Sequence, residues 1–261
     1  MTPSPTADST ASQLNRILMA DDVSASLWAE IDSGRIDELV PELPALRMEQ
    51  DPIHRHKDVL SHTVAVVAKT PADLTVRLAA LFHDIAKPKT RSFEHGGVTF
   101  RHHEVVGARM TKKRMAALGY DEAMIESVSE LVRMSGRFKG YAEGWSDSAV
   151  RRYARDAGPL LGRLNALIRS DCTTRNRNKA QALQESIDDL ERRIGELAEE
   201  DRRAAERPQI DGDEVMAILG IGPGREVGQI MRWLLELKRT EGELADDELH
   251  ARLREFHAGL T

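Results

Sequence analysis

Residues 81–88 read LFHDIAKP: a histidine and an aspartate side by side, flanked by apolar residues and followed by lysine and proline. The apolar spacing makes Asp73–Ala86 a predicted helix, with Leu74, Leu78, Leu81 and Phe82 on its buried side. Pro88 is expected to stop it, because proline cannot continue the backbone ladder. Neighbouring residues on a helix diverge by about 100°. His83 and Asp84 can therefore share an ion only if it lies between their directions and other helices complete the set. The preceding segment, Lys57–Lys69, carries Val59, Leu60, Thr63, Val66 and Val67 at helical spacing and brings His62 as a third ligand. Asp171, at the end of a helix through Leu160–Ser170, is a natural fourth. Two imidazoles and two carboxylates without sulfur suit Mn, Fe, Co, Ni, Zn or Mg. Lys87 follows Asp84 by three residues and projects to the same side. A cation beside a metal makes chemical sense when an anion binds there, and a phosphoryl group is the obvious one. A lone His-Asp pair is more often surface chemistry or a hydrogen-bonded core pair.

Histidine placement supports that emphasis. Seven of the nine histidines fall between His54 and His103. Apolar residues make up 41% of the 261, enough for a core, but aromatic residues only 4%. The core must then be mainly Leu, Val, Ile, Ala and Met, which suits helices better than sheets. The single cysteine, Cys172, excludes an intramolecular disulfide and a thiolate cage, and points to a reducing cytoplasm. Cys172 itself reads as a small buried residue rather than a nucleophile. No run of 18 apolar residues and no signal segment occur, so no membrane partner is expected. The net charge of −6 argues against a wholly basic nucleic-acid surface.

The expected organisation is all-α. A disordered tail covers 1–12 and a helical neck 13–50, a metal-binding domain 51–178, and a helical C-terminal subdomain 179–261. A small hairpin around Gly96-Gly97, within 91–100, is the one strand pair expected. Helices are predicted over Glu104–Leu118, ended by Gly119, and over Glu122–Met134, capped by Asp121. In the long charged helix over 179–206, Leu183, Ile187, Leu190, Ile194 and Leu197 form a narrow seam that packs on one neighbour.

In their order and spacing, His62, His83-Asp84 and Asp171 resemble the metal-dependent phosphohydrolases of the HD-domain superfamily. Residues 100–108, FRHHEVVGA, resemble the next element of that family, in which the histidine matching His103 binds phosphate or a second metal. The likeness narrows further. PELPALRMEQDPIHRHKDVLSHT, SDSAVRRYARDAGPL, RSDCTTRN and DGDEVMAILGIGPGREVGQIMRWLLELKRTEG are similar to the C-terminal half of actinobacterial CCA-adding tRNA nucleotidyltransferases, over about residues 14–257. Two departures stand out. The sequence contains no nucleotidyltransferase motif, so CCA addition is not expected. The family's Leu-His-Leu-Arg-Phe-His-Gly-Tyr stands here as Met134-Ser135-Gly136-Arg137-Phe138-Lys139-Gly140-Tyr141, with both histidines gone. The resemblance thus implies one firmly held metal, with room for a second bridged by Asp84 and held by His103, with His102 a further candidate.

The expected activity is that of a phosphomonoesterase acting on a nucleotide or a phosphorylated nucleoside-like metabolite, in specialised nucleoside metabolism. Asp84, Lys87 and His103 are its expected catalytic residues. Candidate substrate-binding residues are Lys87, His102, Arg137, Lys139, Arg175, His56 and Lys57; for the last five a solvated loop is the competing reading. The alternatives are a 2′,3′-cyclic phosphodiesterase, or a non-catalytic tRNA-binding remnant, which the acidic balance disfavours.

Overall fold

Two aspartates set the start of the helices that carry the centre. The Asp58 carboxylate accepts the Ser61 N–H at 2.6 Å and opens α4, Val59–Lys69. Asp73 accepts the Val76 N–H at 3.1 Å and opens α5, Leu74–Phe82. Each such cap satisfies an N–H that the first turn leaves without an intrahelical partner. Every residue of α5 from Thr75 to Phe82 is buried, as befits the central rod of a helical bundle. The computed structural model describes residues 9–49, 58–94, 97–174 and 176–260.

Ahead of α4 come α1 (Thr10–Leu18), α2 (Val23–Asp32), α3 (Ile36–Leu39) and a 3₁₀ turn, Leu43–Leu46. The first of these begins inside the stretch expected to be a disordered tail. The Thr10 hydroxyl donates to the Leu118 carbonyl at 2.9 Å, and the Tyr120 hydroxyl donates to Asn15 Oδ1 at 2.6 Å. These bonds, with buried Leu14, Leu18 and Leu27, seat the neck on the bundle.

One helix ends earlier than the sequence suggests. α5 stops at Phe82, and residues 83–86 form a turn with Ile85 N–H bonded to the Phe82 carbonyl and Lys87 N–H to the Asp84 carbonyl. Such i→i+3 bonds wind the chain at about three residues per turn, so Asp84 and Lys87 lie above one another. Pro88 does not stop α5. It sits in the first turn of α6, Lys87–Thr90, where a missing N–H is harmless. The hairpin follows: β1 (Ser92–Glu94) pairs antiparallel with β2 (Gly97–Thr99), with Phe93 opposite Val98.

The bundle continues with α7 (His103–Leu118), α8 (Glu122–Met134), α9 (Asp147–Ala157) and α10 (Leu161–Asp171). Gly119, at φ 86°, ends α7, and Asp121 accepts the Met124 N–H at 2.8 Å to open α8. The long α11 runs Arg177–Ala205. Ile187 and Leu190 of its seam are fully buried, and Arg169 of α10 holds Asp188 and Glu191 at 2.6 and 2.8 Å. The seam thus packs on its own chain.

The chain divides into two compact units, up to Gly195 and from Glu196 onward, so the boundary falls within α11 and the neck shares a unit with the bundle. In the second unit, a capping box of Asp211 and Glu214 opens α12 (Gly212–Leu219). Then come α13 (Arg225–Glu241) and α14 (Asp246–Ala258). Its core is Val215, Ile230, Leu234, Leu237, Leu249 and Leu253, and Trp233 stacks on Phe256 at 4.3 Å. Among the described residues, no helix is long and apolar enough to cross a membrane.

Candidate metal centre

Three elements of the first unit aim four polar side chains at one point. His62 comes from the middle of α4, His83 and Asp84 from the turn after α5, and Asp171 from the last position of α10. The ligand atoms of His62, His83 and Asp171 all lie within 4.8 Å of one another. Asp84 Oδ2 joins them, 3.2 Å from His83 Nε2 and 3.7 Å from His62 Nε2. Asp171 Oδ1 is 2.9 Å from His62 Nε2 and 3.5 Å from His83 Nε2.

The ring partners decide which nitrogen carries the lone pair. His83 Nδ1 donates to the Ala80 carbonyl at 2.7 Å, which leaves Nε2 without a proton in the neutral ring. That Nε2 is buried, has no hydrogen-bond partner, and faces two carboxylates. Acceptors turned on one another in a buried place call for a cation between them. Asp84 is 1% exposed and His83 3%. Burial alone would raise the Asp84 and Asp171 pKa values, but the neighbouring imidazoles reverse that, and both carboxyls are held well below the usual range. Burial likewise opposes charge on His83, yet the Asp84 and Asp171 carboxylates push its pKa up to about 10. The cluster's preference is for positive charge at its centre, which either a proton or a metal ion satisfies. A donor set of two imidazole nitrogens and two carboxylate oxygens fits a hard or borderline divalent metal.

Beside this set, His103 opens α7. Its Nδ1 donates to the Phe100 carbonyl at 2.7 Å, and Nε2 faces Asp84 Oδ1 at 3.6 Å. Asp84 therefore turns one oxygen to His62 and His83 and the other to His103. Burial lowers the His103 pKa against the pull of Asp84 and Glu104. The preceding His102 has φ 61°, in the left-handed region. This sharp reversal is what brings His103 to the start of the helix.

A cavity of about 550 Å³ opens on the centre and is lined by His62, His83, Asp84, Asp171, His102 and His103 together with Lys87, Arg101, Glu104 and Lys139. Lys87 has Asp84 Oδ2 as its partner at 2.7 Å and is 6% exposed. Lys139 reaches Glu104 Oε1 at 3.0 Å. Burial would raise the Glu104 pKa, but its own backbone N–H and Lys139 hold it below the ordinary range. Gly136 makes room for this carboxylate, since a Cβ there would lie 2.2 Å from Glu104 Oε1. Ser135 and Lys139, where the resembled family carries histidines, both line the cavity.

The structure thus brings together His62, His83, Asp84, Asp171, Lys87, His102, His103 and Lys139. Arg137 is a correction: it is ion-paired with Asp156 at 2.8 Å and does not line the cavity. His56, Lys57 and Arg175 lie outside the described residues. Three participants went unrecognised in the sequence. Thr173 meets His62 Nδ1 at 2.9 Å through its hydroxyl, although RSDCTTRN is part of the quoted likeness. Arg101 and Glu104 flank the two histidines and could have been read as their helix-start neighbours.

This geometry, α4 and the turn after α5 presenting a histidine and a His-Asp pair to an aspartate far along the chain, is that of a helical domain with a set of residues suited to a metal ion. The HD domain family matches residues 59–241, and the chain belongs to that family of metal-dependent phosphohydrolases. The chain is 30% identical over 252 residues to the CC-adding tRNA nucleotidyltransferase of Thermus thermophilus, covering 94% of this chain and 55% of that protein. It is 29% identical over 250 residues to the A-adding tRNA nucleotidyltransferase of Deinococcus radiodurans, covering 93% and 56%. The chain therefore spans about half the length of these curated relatives.

Proposed function

We propose that this protein is a metal-dependent phosphomonoesterase that removes phosphate from a nucleotide or a phosphorylated nucleoside-like metabolite. The observation that carries the reading is the charge balance of the cavity. Its described lining holds three permanent cations, Lys87, Arg101 and Lys139, against three carboxylates, Asp84, Glu104 and Asp171. With neutral histidines these cancel, and a divalent metal leaves two positive charges. A phosphate monoester carries between about −1.5 and −2 at pH 7, which matches. A cyclic diester carries a single negative charge and leaves the site underfilled.

His62, His83, Asp84 and Asp171 are the residues that would hold the metal. When bound there, the metal supplies Lewis acidity to a phosphoryl oxygen and lowers the pKa of a water. His103 presents an unprotonated Nε2 to the same space and can accept the proton of an attacking water. Lys87, already tied to Asp84, places positive charge where negative charge develops on the phosphoryl oxygens. The water oxygen forms the new bond to phosphorus, the ester P–O bond breaks, and the leaving oxygen takes up the proton that His103 accepted.

The test is phosphate release from a panel of monoesters and 2′,3′-cyclic nucleotides by metal-loaded protein, with Asp84→Ala as control. Monoester turnover that Asp84→Ala loses by at least a hundredfold is the expected result. Equal release by both proteins, or a preference for the cyclic esters, rejects the reading.

A second reading comes from the relatives, whose names place them on tRNA. It has the chain bind RNA without hydrolysis. The net charge of −6 weakens it, because RNA affinity rests on phosphate neutralisation and falls steeply with salt. A tRNA titration at two salt concentrations separates the readings: tight, salt-sensitive binding without phosphate release supports the second.

A further inference from the structure

A second cavity, of about 450 Å³, adjoins the metal-facing one, and the two share Ser135, Lys139 and Asp171 in their walls. Its character is different. Phe138, Tyr141, Ile168 and Leu183 give it carbon surface. Phe138 and Tyr141 stack at 5.3 Å with 21° between their planes, and Tyr141 is held by a hydrogen bond from its hydroxyl to Asp189 at 2.5 Å. Phe138, Tyr141 and Ile168 are themselves buried side chains that form a fixed floor. An apolar recess with an ordered aromatic floor favours a flat ring, which loses little entropy on binding and gains from desolvation.

The edge of the recess is polar. The Ser135 hydroxyl donates to the Val132 carbonyl and the Ser186 hydroxyl to the Ala182 carbonyl. Each therefore offers lone pairs toward a ligand rather than its proton. Such acceptors suit the N–H groups at the rim of a heterocycle. A plain acyl chain would leave them unused.

We infer that this recess is the base subsite of the same active site: it takes the heterocycle of a nucleoside monophosphate whose phosphoryl group faces His62, His83 and Asp171. The continuity of the two cavities through Asp171 and Lys139 is what joins ring and phosphate in one molecule. The inference rests on the phosphomonoesterase reading for the phosphate but not for the ring. Phe138, Ile168 and Leu183 then determine specificity, and small phosphoesters without a ring use only half of the site.

Cys172, the only cysteine in the chain, lines the recess and is partly exposed, so its alkylation reports on occupancy. The experiment measures the rate of N-ethylmaleimide reaction with and without adenosine, which has no phosphate. It also compares KM for adenosine 5′-monophosphate and glycerol phosphate in the unaltered chain and in Ala182→Phe, where an exposed wall position is enlarged into the recess. A retained helical circular dichroism spectrum shows that the variant is folded. Adenosine should slow alkylation at least threefold, and much less so in Ala182→Phe. The variant should raise KM for the nucleotide about tenfold relative to that for glycerol phosphate. Alkylation indifferent to adenosine in both proteins overturns the subsite. Absence of phosphate release from every ester overturns the phosphatase reading instead, and leaves the alkylation result to decide the recess.

Discussion

Thr173 and His102 show how much of the centre depends on residues outside the set His62, His83, Asp84 and Asp171. The Thr173 hydroxyl fixes the His62 ring through Nδ1 at 2.9 Å, and partners of this kind typically account for 10- to 100-fold in metal affinity. Thr173→Val should lower affinity for a divalent metal within that range while leaving the fold intact, as read by competition with a metal-responsive dye. His102 holds a left-handed conformation that costs a non-glycine residue about 1–2 kcal/mol. His102→Gly should therefore keep or raise the melting temperature. Because His102 lines the cavity, the same change should lower phosphate release. A melting temperature reduced by several degrees would show that the conformation is not strained. His83 and Asp84 stand out in the sequence by their apolar flanks, whereas His62 and Asp171, set between Ser61 and Thr63 and between Ser170 and Cys172, stand out by their order and spacing in the resembled family. Thr173 does not, since a hydroxyl amid polar residues looks like any loop residue until His62 is seen against it.

Elements were legible where a cap closes them. Asp121 and Gly119 mark real helix ends in the sequence and in the structure, because each satisfies a backbone need that few residues can meet. The end of α5 was not. Apolar spacing runs on through Ile85 and Ala86, yet the chain tightens after Phe82. Side-chain chemistry there outweighs the pattern: His83 Nδ1 bonds the Ala80 carbonyl, and Asp84 takes Lys87. Arg137 misled for a related reason, as a cation near a site in sequence can be claimed by a carboxylate from another helix, here Asp156. A prediction belongs at this scale. Asp58 caps α4, the element that carries His62. Asp58→Ala should cost about 1 kcal/mol of stability, seen as a lower urea midpoint with an unchanged slope. Added metal should restore part of the loss, because a ligand that binds only the folded chain stabilises it by mass action. No response to metal in either protein would count against the centre.

At the scale of the whole molecule, two tyrosines held inside the helical packing tie stability to pH. Tyr153 is 1% exposed and donates to Asn165 Oδ1 at 2.8 Å. Burial raises its pKa, Glu191 adds to that, and Arg137 opposes it. Burial also raises the Tyr120 pKa. In the unfolded chain both phenols titrate near 10. A folded pKa above the unfolded one means that the unfolded state releases its proton first. Stability is then fully present below about pH 10 and falls as the pH rises toward the folded values, by about 1.4 kcal/mol per pH unit for each phenol. Because His83, held up to about 10, also gives up stability as the pH rises toward that value, urea midpoints should fall gently from pH 8 and more steeply between pH 10 and 11. Tyr153→Phe will lower the midpoint at every pH, because it leaves Asn165 without its donor. Its diagnostic effect is on the slope, which should be shallower than in the unaltered chain above pH 10. An identical slope would mean that the Tyr153 hydroxyl reaches solvent before the bundle opens, and that the floor on which α10 and α11 rest is looser than its packing implies.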